Sequence, residues 1–274
     1  MEVCAITGAT GVLGKKIVKS LPFKFYKFNG DIRNYKDVHK WIHGKNFDLL
    51  IHLAASVPTK EVEKNFKNSL KVNYIGTKNI IKSLKLKKNK PKWFFFSSTS
   101  HVYKILNKKI KIKENFKLIP SSKYGLTKMK AEKEVIKLKK YNIKYCIGRI
   151  FSFTDQNQKT PYVVPSIIKR IKLTKEKVVN LKNLNHYRDF ISTNLISKII
   201  KRLYQTNSTG IFNIGTGQAI NLKKIAILFG KKYKKKIKFE DNNKITFLIS
   251  DNSKILKKKV LFKKFRNNIK FLYN

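Results

Sequence analysis

The chain has 274 residues, 42% of them hydrophobic, enough to bury a sizeable core in one large domain or two unequal ones. No apolar run approaches the roughly 18 residues a membrane span needs, and no basic, signal-like leader opens the sequence, so the protein is read as cytoplasmic. The formal charge of +48, from 63 basic against 15 acidic residues, is spread along the whole chain; it reads as a lysine bias that attracts anionic ligands, with a dedicated nucleic-acid or membrane site disfavoured.

Residues 2–7, EVCAIT, predict a strand and residues 12–20 a helix. The turn between them carries Gly8, Gly11 and Gly14, three apart. A glycine turn between strand and helix suits a dinucleotide. Gly8 permits the tight turn, Gly11 lets the backbone approach a pyrophosphate, and Gly14 lets the helix pack close to the strand. The helix N-terminus then offers free N–H groups and positive potential to the phosphates.

A strand follows at 23–28, a helix at 35–44 and a fully apolar strand at 48–54. Residues 61–86 predict one long amphipathic helix, with Phe66, Leu70, Asn73, Ile80, Ile81 and Leu84 near helical spacing. Residues 91–98 predict a buried strand, 122–140 a second long helix and 144–150 another strand. Strands alternating with helices, and apolar almost throughout, predict a parallel sheet covered on both faces. Beyond residue 150 the pattern weakens: a loop at 155–161, a helix at 162–173, then strand, glycine turn and helix over 210–233. The expected organisation is a Rossmann-type, doubly wound α/β domain over 1–150, interleaved with a smaller α/β C-terminal substrate lobe over 151–274. Cys4 and Cys146 lie in strand-like runs and read as buried thiols, with neither a disulfide framework nor a metal cluster. His39 and His43 stand four apart, but no acid lies between them and no third ligand is evident, so no metal is expected.

The chemistry is carried by a second motif. The run YGLTK sets Tyr124 and Lys128 four apart, on one helix face. Upstream, FFFSSTSHVY ends an apolar strand in hydroxyl residues, where a parallel sheet opens its ligand crevice. An ammonium on the same face favours the phenolate and lowers the tyrosine pKa from its usual 10. A neighbouring hydroxyl can hold a carbonyl or carbinol oxygen against the phenol. His101, two residues past Thr99, reads as a satisfied strand-end histidine, with proton donation as the alternative.

The segments TGATGVLG, GDIRN, IHLAA, NYIGTKNII, FFSSTSHVY, SSKYGLTKMKAE, YRDF and FNIGTG occur in the order seen in extended short-chain dehydrogenases of the NAD-dependent epimerase/dehydratase type. The chain resembles that family over residues 1–260. The resemblance implies an enzyme acting on a nucleotide-diphosphate sugar with NAD or NADP. Carried over by position, it makes Thr99, Tyr124 and Lys128 the catalytic trio, with Lys128 also bonding the nicotinamide ribose. Gly8, Thr10, Gly11, Val12, Leu13 and Gly14 would cradle the cofactor phosphates. Asp31 and Ile32 would sit beside the adenine, Ala54 and Ala55 would line the cofactor, and Asn73 would order its site. Ser152 falls where an Asn often contacts substrate. Arg188 matches an arginine that grips the diphosphate, bidentate work that suits a guanidinium; a salt bridge to Asp189 is the alternative. A homodimer is implied by resemblance alone.

Three departures matter. Ser100 and His101 stand where 4,6-dehydratases carry an acid pair, which argues against dehydration. Lys104 follows Tyr103 where a Gly is usual. A strand–helix unit is missing before GDI, and no acid occurs between Glu2 and Asp31 to bind the adenosine ribose, while Lys24 and Lys27 are at hand for a 2′-phosphate. These features favour 4-keto-sugar reduction with some preference for NADP. A 4-epimerase with tightly held NAD is the runner-up, and a non-catalytic dinucleotide- or RNA-binding protein on the same fold is the alternative of another class.

Overall fold

The computed structural model describes residues 1–258. Strand β1 (Val3–Thr7) leads through the glycine turn into α1 (Val12–Ser20), then β2 (Lys24–Lys27), α2 (Tyr35–His43) and β3 (Leu49–His52). The expected long helix over 61–86 is broken. It consists of α3 (Thr59–Lys64), α4 (Phe66–Leu70), a π-helical turn over Lys71–Ile75, and α5 (Gly76–Leu86). Asn65 makes the first break: its backbone leaves the helical region at φ −127° and ψ 62°, and its side chain accepts from the Asn68 N–H. Apolar spacing cannot reveal either break, because it reports a face and not the hydrogen-bond register.

Strand β4 (Trp93–Thr99) is followed by a 3₁₀ turn over Ser100–Val102, β5 (Lys111–Ile112), α6 (Lys123–Ile136), β6 (Lys144–Ile150) and β7 (Ser152–Thr154). Then come α7 (Val163–Leu173), β8 (Val178–Lys182), β9 (His186–Arg188), β10 (Phe190–Ser192) and α8 (Thr193–Gln205). The described chain finishes with β11 (Gly210–Ile214), β12 (Ile220–Asn221), α9 (Leu222–Lys232), β13 (Lys236–Glu240), β14 (Thr246–Ser250) and α10 (Ser253–Leu256).

The main sheet is six-stranded and parallel, in the order β11-β6-β4-β3-β1-β2. Its strands alternate apolar residues to two covered faces. Cys4, Ile6, Leu49, Ile51, Trp93 and Phe95 meet α1 and α8, while Ala5, Leu50, Phe94 and Phe96 meet α2, α5 and α6. Trp93 to Phe96 are fully buried, each worth about 1.5–3 kcal/mol on removal from water. The sheet stops at β2, as the missing strand–helix unit requires, with Lys24 and Lys27 exposed on an edge strand of four residues. Short, lysine-bearing edges resist pairing with other chains.

Strand order reverses at β1 and β3. The chain steps from β1 out to β2, then crosses to β3 on the other side, so the loops after β1 and β3 diverge and leave a crevice at the strand C-termini. The smaller elements pack around a third core, where α7 and α9 cover the parallel pair β8 and β13. A second small sheet runs β12-β9-β14-β5, and β7 pairs with β10. No helix among the described residues is long and apolar enough to cross a membrane.

Candidate active site

The glycine turn lies at the switch point. Gly8 has φ +71°, in the left-handed region that favours glycine, and a Cβ there would approach the Ala54 nitrogen to 2.6 Å. The loop after β3 is pinned beside it. The Thr77 hydroxyl donates to the Asn73 carbonyl at 2.7 Å, so its oxygen accepts from His52 Nε2 at 2.9 Å. His52 Nδ1 then accepts from the Thr7 hydroxyl at 2.7 Å, and Thr7 accepts from the Ala54 N–H at 3.2 Å. This buried chain sets the imidazole tautomer and ties β1, β3 and the π-turn together.

The N-terminus of α1 is built to receive anions. Its N-cap is Gly11, no side chain caps it, and no acid lies in its first turn. Thr10 and Gly11 are exposed, Val12 is half-buried, and Leu13 and Gly14 are buried. A Cβ on Gly11 would meet only the Gly8 carbonyl oxygen, at 3.4 Å, so the turn is open on the side away from the sheet. Orphan N–H groups beside an open glycine are chemically suited to a pyrophosphate.

Asn73 sits in the π-turn, a form that recurs at functional sites. Its side chain accepts from the Ser56 N–H at 2.6 Å and donates to Thr127 at 2.9 Å, so it orders the loop that carries Ala54 and Ala55 against α6. Asp31 and Ile32 part company. Asp31 is exposed and gripped by Arg33 at 2.6 Å, whereas Ile32 is buried against Gly76 of α5.

Thr99 ends β4, and α6 begins beside it. Ser122 caps the helix by accepting from the Gly125 N–H at 3.1 Å. A Cβ on Gly125 would collide with the His101 carbonyl, so the glycine lets the first turn of α6 lie against the turn after β4. That contact brings Thr99, His101, Tyr124 and Lys128 together. The Thr99 hydroxyl lies close enough to the Tyr124 phenol to bear on its pKa. Lys128 is only 1% exposed, its ammonium 4.1 Å from the centre of the Phe96 ring.

The expected lowering of the Tyr124 pKa does not appear in the ligand-free site. Burial dominates and pushes the phenol above its usual value, Tyr162 adds to the rise, and the Thr99 hydroxyl pulls the other way. Burial likewise lowers Lys128 to about 7, against the raising influence of Glu132. Both groups are therefore biased toward their neutral forms.

Below them runs a buried network that no spacing announced. Glu132, one turn past Lys128, accepts from the Ser98 hydroxyl at 2.5 Å and from Arg149 at 2.8 Å. Arg149 also donates to the Tyr103 oxygen at 2.7 Å, and Tyr103 donates to Asn213 at 2.8 Å. Helix α6 is thus fastened to β4, β6 and β11.

Arg188 lies across the crevice, at the end of β9. Its guanidinium donates to the carbonyls of Tyr187 (2.9 Å) and Thr246 (3.2 Å) and pairs with no acid among the described residues. The salt bridge to Asp189 is absent. Asp189 is fully buried and accepts instead from Ser250 and Thr216, at 2.5 and 2.7 Å from their hydroxyls, which joins the YRDF and GTG segments. Burial lowers Arg188 to about 10. Ser152 opens β7 and its hydroxyl makes no hydrogen bond to the described residues. Tyr162, close enough to bear on Tyr124, and His101 are site residues that the sequence reading did not assign, the first for want of any pattern around it.

A doubly wound sheet with a glycine turn at its switch point, and Thr, Tyr and Lys gathered at the next strand end, defines an oxidoreductase of the short-chain dehydrogenase class. The family model for GDP-mannose 4,6 dehydratase matches residues 7–272. The chain is 26% identical over 269 residues to the GDP-6-deoxy-D-talose 4-dehydrogenase of Aggregatibacter actinomycetemcomitans, spanning 92% of this chain and 89% of that one. Its fold is similar to that of RMD from Pseudomonas aeruginosa, solved with NADPH (TM-score 0.85, 18% identity, 94% of this chain and 92% of that one). It is also similar to that of Thermus thermophilus UDP-glucose 4-epimerase, solved with NAD (TM-score 0.82, 17% identity, 98% and 97%). The chain belongs to this family, the NAD(P)-dependent nucleotide-sugar enzymes of the epimerase/dehydratase type.

Proposed function

We propose that the protein reduces a 4-keto nucleotide-diphosphate sugar, with Tyr124 as proton donor. The observation that carries this reading is Tyr124 itself: a half-buried phenol beside the Thr99 hydroxyl, which burial pushes further toward its protonated form. A protonated phenol is the state a reduction needs, because the keto oxygen must gain a proton as hydride reaches its carbon. A bound nicotinamide dinucleotide supplies that hydride. Thr99 donates to the same oxygen as negative charge develops there. Lys128, one turn along α6 from Tyr124, supplies positive charge when Tyr124 gives up its proton, and Glu132 favours its ammonium form.

The dinucleotide is assigned to residues 8–14, with its pyrophosphate at the N-terminus of α1. Asp31 and Ile32 flank its adenosine end, and Ala54, Ala55 and Asn73 line it. No acid lies between Glu2 and Asp31, so β2 supplies none to oppose a 2′-phosphate, and Lys24 and Lys27 favour one. This supports NADPH over NADH. The sugar's diphosphate is assigned to Arg188, a half-buried cation without an acidic partner among the described residues. Ser152 is assigned to the sugar and residues 151–258 to the substrate lobe; the rest of the expected lobe, 259–274, lies outside the described residues. The 4-dehydrogenase relative is named for dehydrogenation at the same carbon. The epimerase reading requires NAD retained through each cycle, which a shortened adenosine end supports less well.

The test is steady-state oxidation of NADPH and NADH with dTDP- and GDP-linked 4-dehydro-6-deoxyhexoses. The expected result is turnover, with NADPH at least as effective as NADH. A preference for NADH above about tenfold, or 1.4 kcal/mol, together with 4-epimerisation of UDP-sugars, would replace reductase by epimerase.

A further inference from the structure

Arg188 has a neighbour that the reading above leaves unused. His186 lies two residues before it on β9, so both side chains leave the strand on one face. They meet at a single oxygen: the Thr246 hydroxyl is 3.1 Å from Arg188 Nη1 and 3.0 Å from His186 Nδ1. Thr246 stands opposite His186 in the register of β9 and β14, so the sheet itself sets this meeting. His186 and Arg188 are both half-buried. Among the described residues no acid pairs with the ring. Asp241, between β13 and β14, is already held by Lys223 of α9 at 2.5 Å and by the Leu184 N–H at 2.9 Å. Burial first, then Arg188 and Lys244, lower the pKa of the ring, and the opposing pull of Asp241 and the Asn185 backbone is smaller. The imidazole is therefore mainly neutral near pH 7 in the ligand-free protein.

A doubly charged anion beside this ring reverses that balance, because a nearby opposite charge favours the protonated form. The diphosphate of a nucleotide sugar is a diester, so it lacks the phosphomonoester that titrates near pH 6 and stays fully charged through the neutral range. Under the assignment of that diphosphate to Arg188, on which this inference rests, its charge arrives beside His186. We propose that His186 is the second cation of the diphosphate site: its ring takes a proton from solvent as the nucleotide sugar binds, and substrate affinity falls as pH rises. In the imidazolium both nitrogens carry protons, whatever the tautomer of the neutral ring. Nδ1 then keeps Thr246, and Nε2, which has no hydrogen bond to the described residues, is left for a phosphate oxygen. Such charge-assisted bonds are about twice as strong as neutral ones. The coupling is reciprocal: an anion that raises the pKa of the ring binds more tightly where the ring is already charged. Arg188, lowered by burial only to about 10, keeps its charge throughout and does not supply this pH dependence.

The experiment is titration calorimetry of the full chain, with and without NADPH, using UDP-glucose, dTDP-glucose and GDP-mannose as probes. None carries a ketone, so none is reduced. Affinity is measured at pH 6 and 8, and proton uptake at pH 7 in two buffers of different ionisation enthalpy, MOPS and imidazole. The parent should take up about half a proton on binding and lose at least about threefold in affinity from pH 6 to pH 8. His186→Gln, which keeps a polar group for Thr246, should bind more weakly at pH 6, without that uptake and without that loss. His186→Arg should bind tightly at both pH values, again without uptake. A histidine that only braced Thr246 would leave proton uptake unmoved. If His186→Gln does not fold, His186→Asn carries the same comparison. Binding by the parent without proton uptake, or uptake undiminished in a folded Gln or Asn variant, overturns the inference and leaves the diphosphate assignment standing. An Arg188→Gln variant that binds as tightly as the parent, or a parent that binds none of the probes, overturns the assignment beneath it, and the inference falls with it.

Discussion

Two residues show how burial sets the chemistry before any ligand arrives. Lys128 has its pKa lowered to about 7 by burial, against about 10.4 in an unfolded chain. Between those values the unfolded state binds more protons than the folded one, so stability rises with pH across that window; below about 7 the cost of a buried ammonium is present in full. The ligand-free protein should therefore gain stability from pH 7 toward pH 10, and Lys128→Met should flatten that rise. Urea midpoints at pH 6.5 and 9 measure it, and equal pH slopes in parent and variant would count against the assignment. Gly11 makes the complementary case. Because a Cβ there meets only the Gly8 carbonyl at 3.4 Å, Gly11→Val should fold normally yet set its methyls where the pyrophosphate is assigned. Calorimetry with NADP⁺ should show at least a tenfold loss; unchanged affinity in the folded variant would move the cofactor elsewhere.

At the scale of elements, helix α6 is held at its N-terminus and by its middle. Ser122 caps α6, Gly125 lets it touch the turn after β4, and Glu132 ties it to Ser98 and Arg149. Removing one member of a buried ion pair strands the other and costs about 3–5 kcal/mol. Glu132→Gln should lower Tm by on the order of 10 °C, read by differential scanning calorimetry; a shift under two degrees would show that the network bears little weight. The alternating strands and helices through residue 150 were legible because each buries a face with its own period. Tyr124, Lys128 and the glycines were legible because helix and turn geometry fix their spacing locally. The Glu132–Arg149–Tyr103 network was not, since its members meet only through sheet order. Strands β5, β7, β10 and β12, of two or three residues, carry no period to read. Helix α8 could have been found: Ser192 caps it, and Leu195, Ile196, Ile199, Ile200 and Leu203 follow at helical spacing.

For the molecule as a whole, the net charge of +48 sets an attractive field for anions, and the crevice concentrates its use. A helix N-terminus without a side-chain cap stands at one end, and at the other Arg188, which has no acidic partner among the described residues. A dinucleotide and a nucleotide-diphosphate sugar are both anionic, and the proposed reaction brings them face to face over Tyr124. That tyrosine is the central claim, and its hydroxyl can be removed without disturbing the fold. The decisive measurement is NADPH-dependent turnover of a 4-dehydro-6-deoxyhexose nucleotide by the parent and by Tyr124→Phe, with NADPH affinity measured beside it. The account predicts a loss of about 10²–10⁴ in kcat, the worth of a positioned acid, with cofactor affinity nearly unchanged. A Tyr124→Phe variant turning over within threefold of the parent would contradict it.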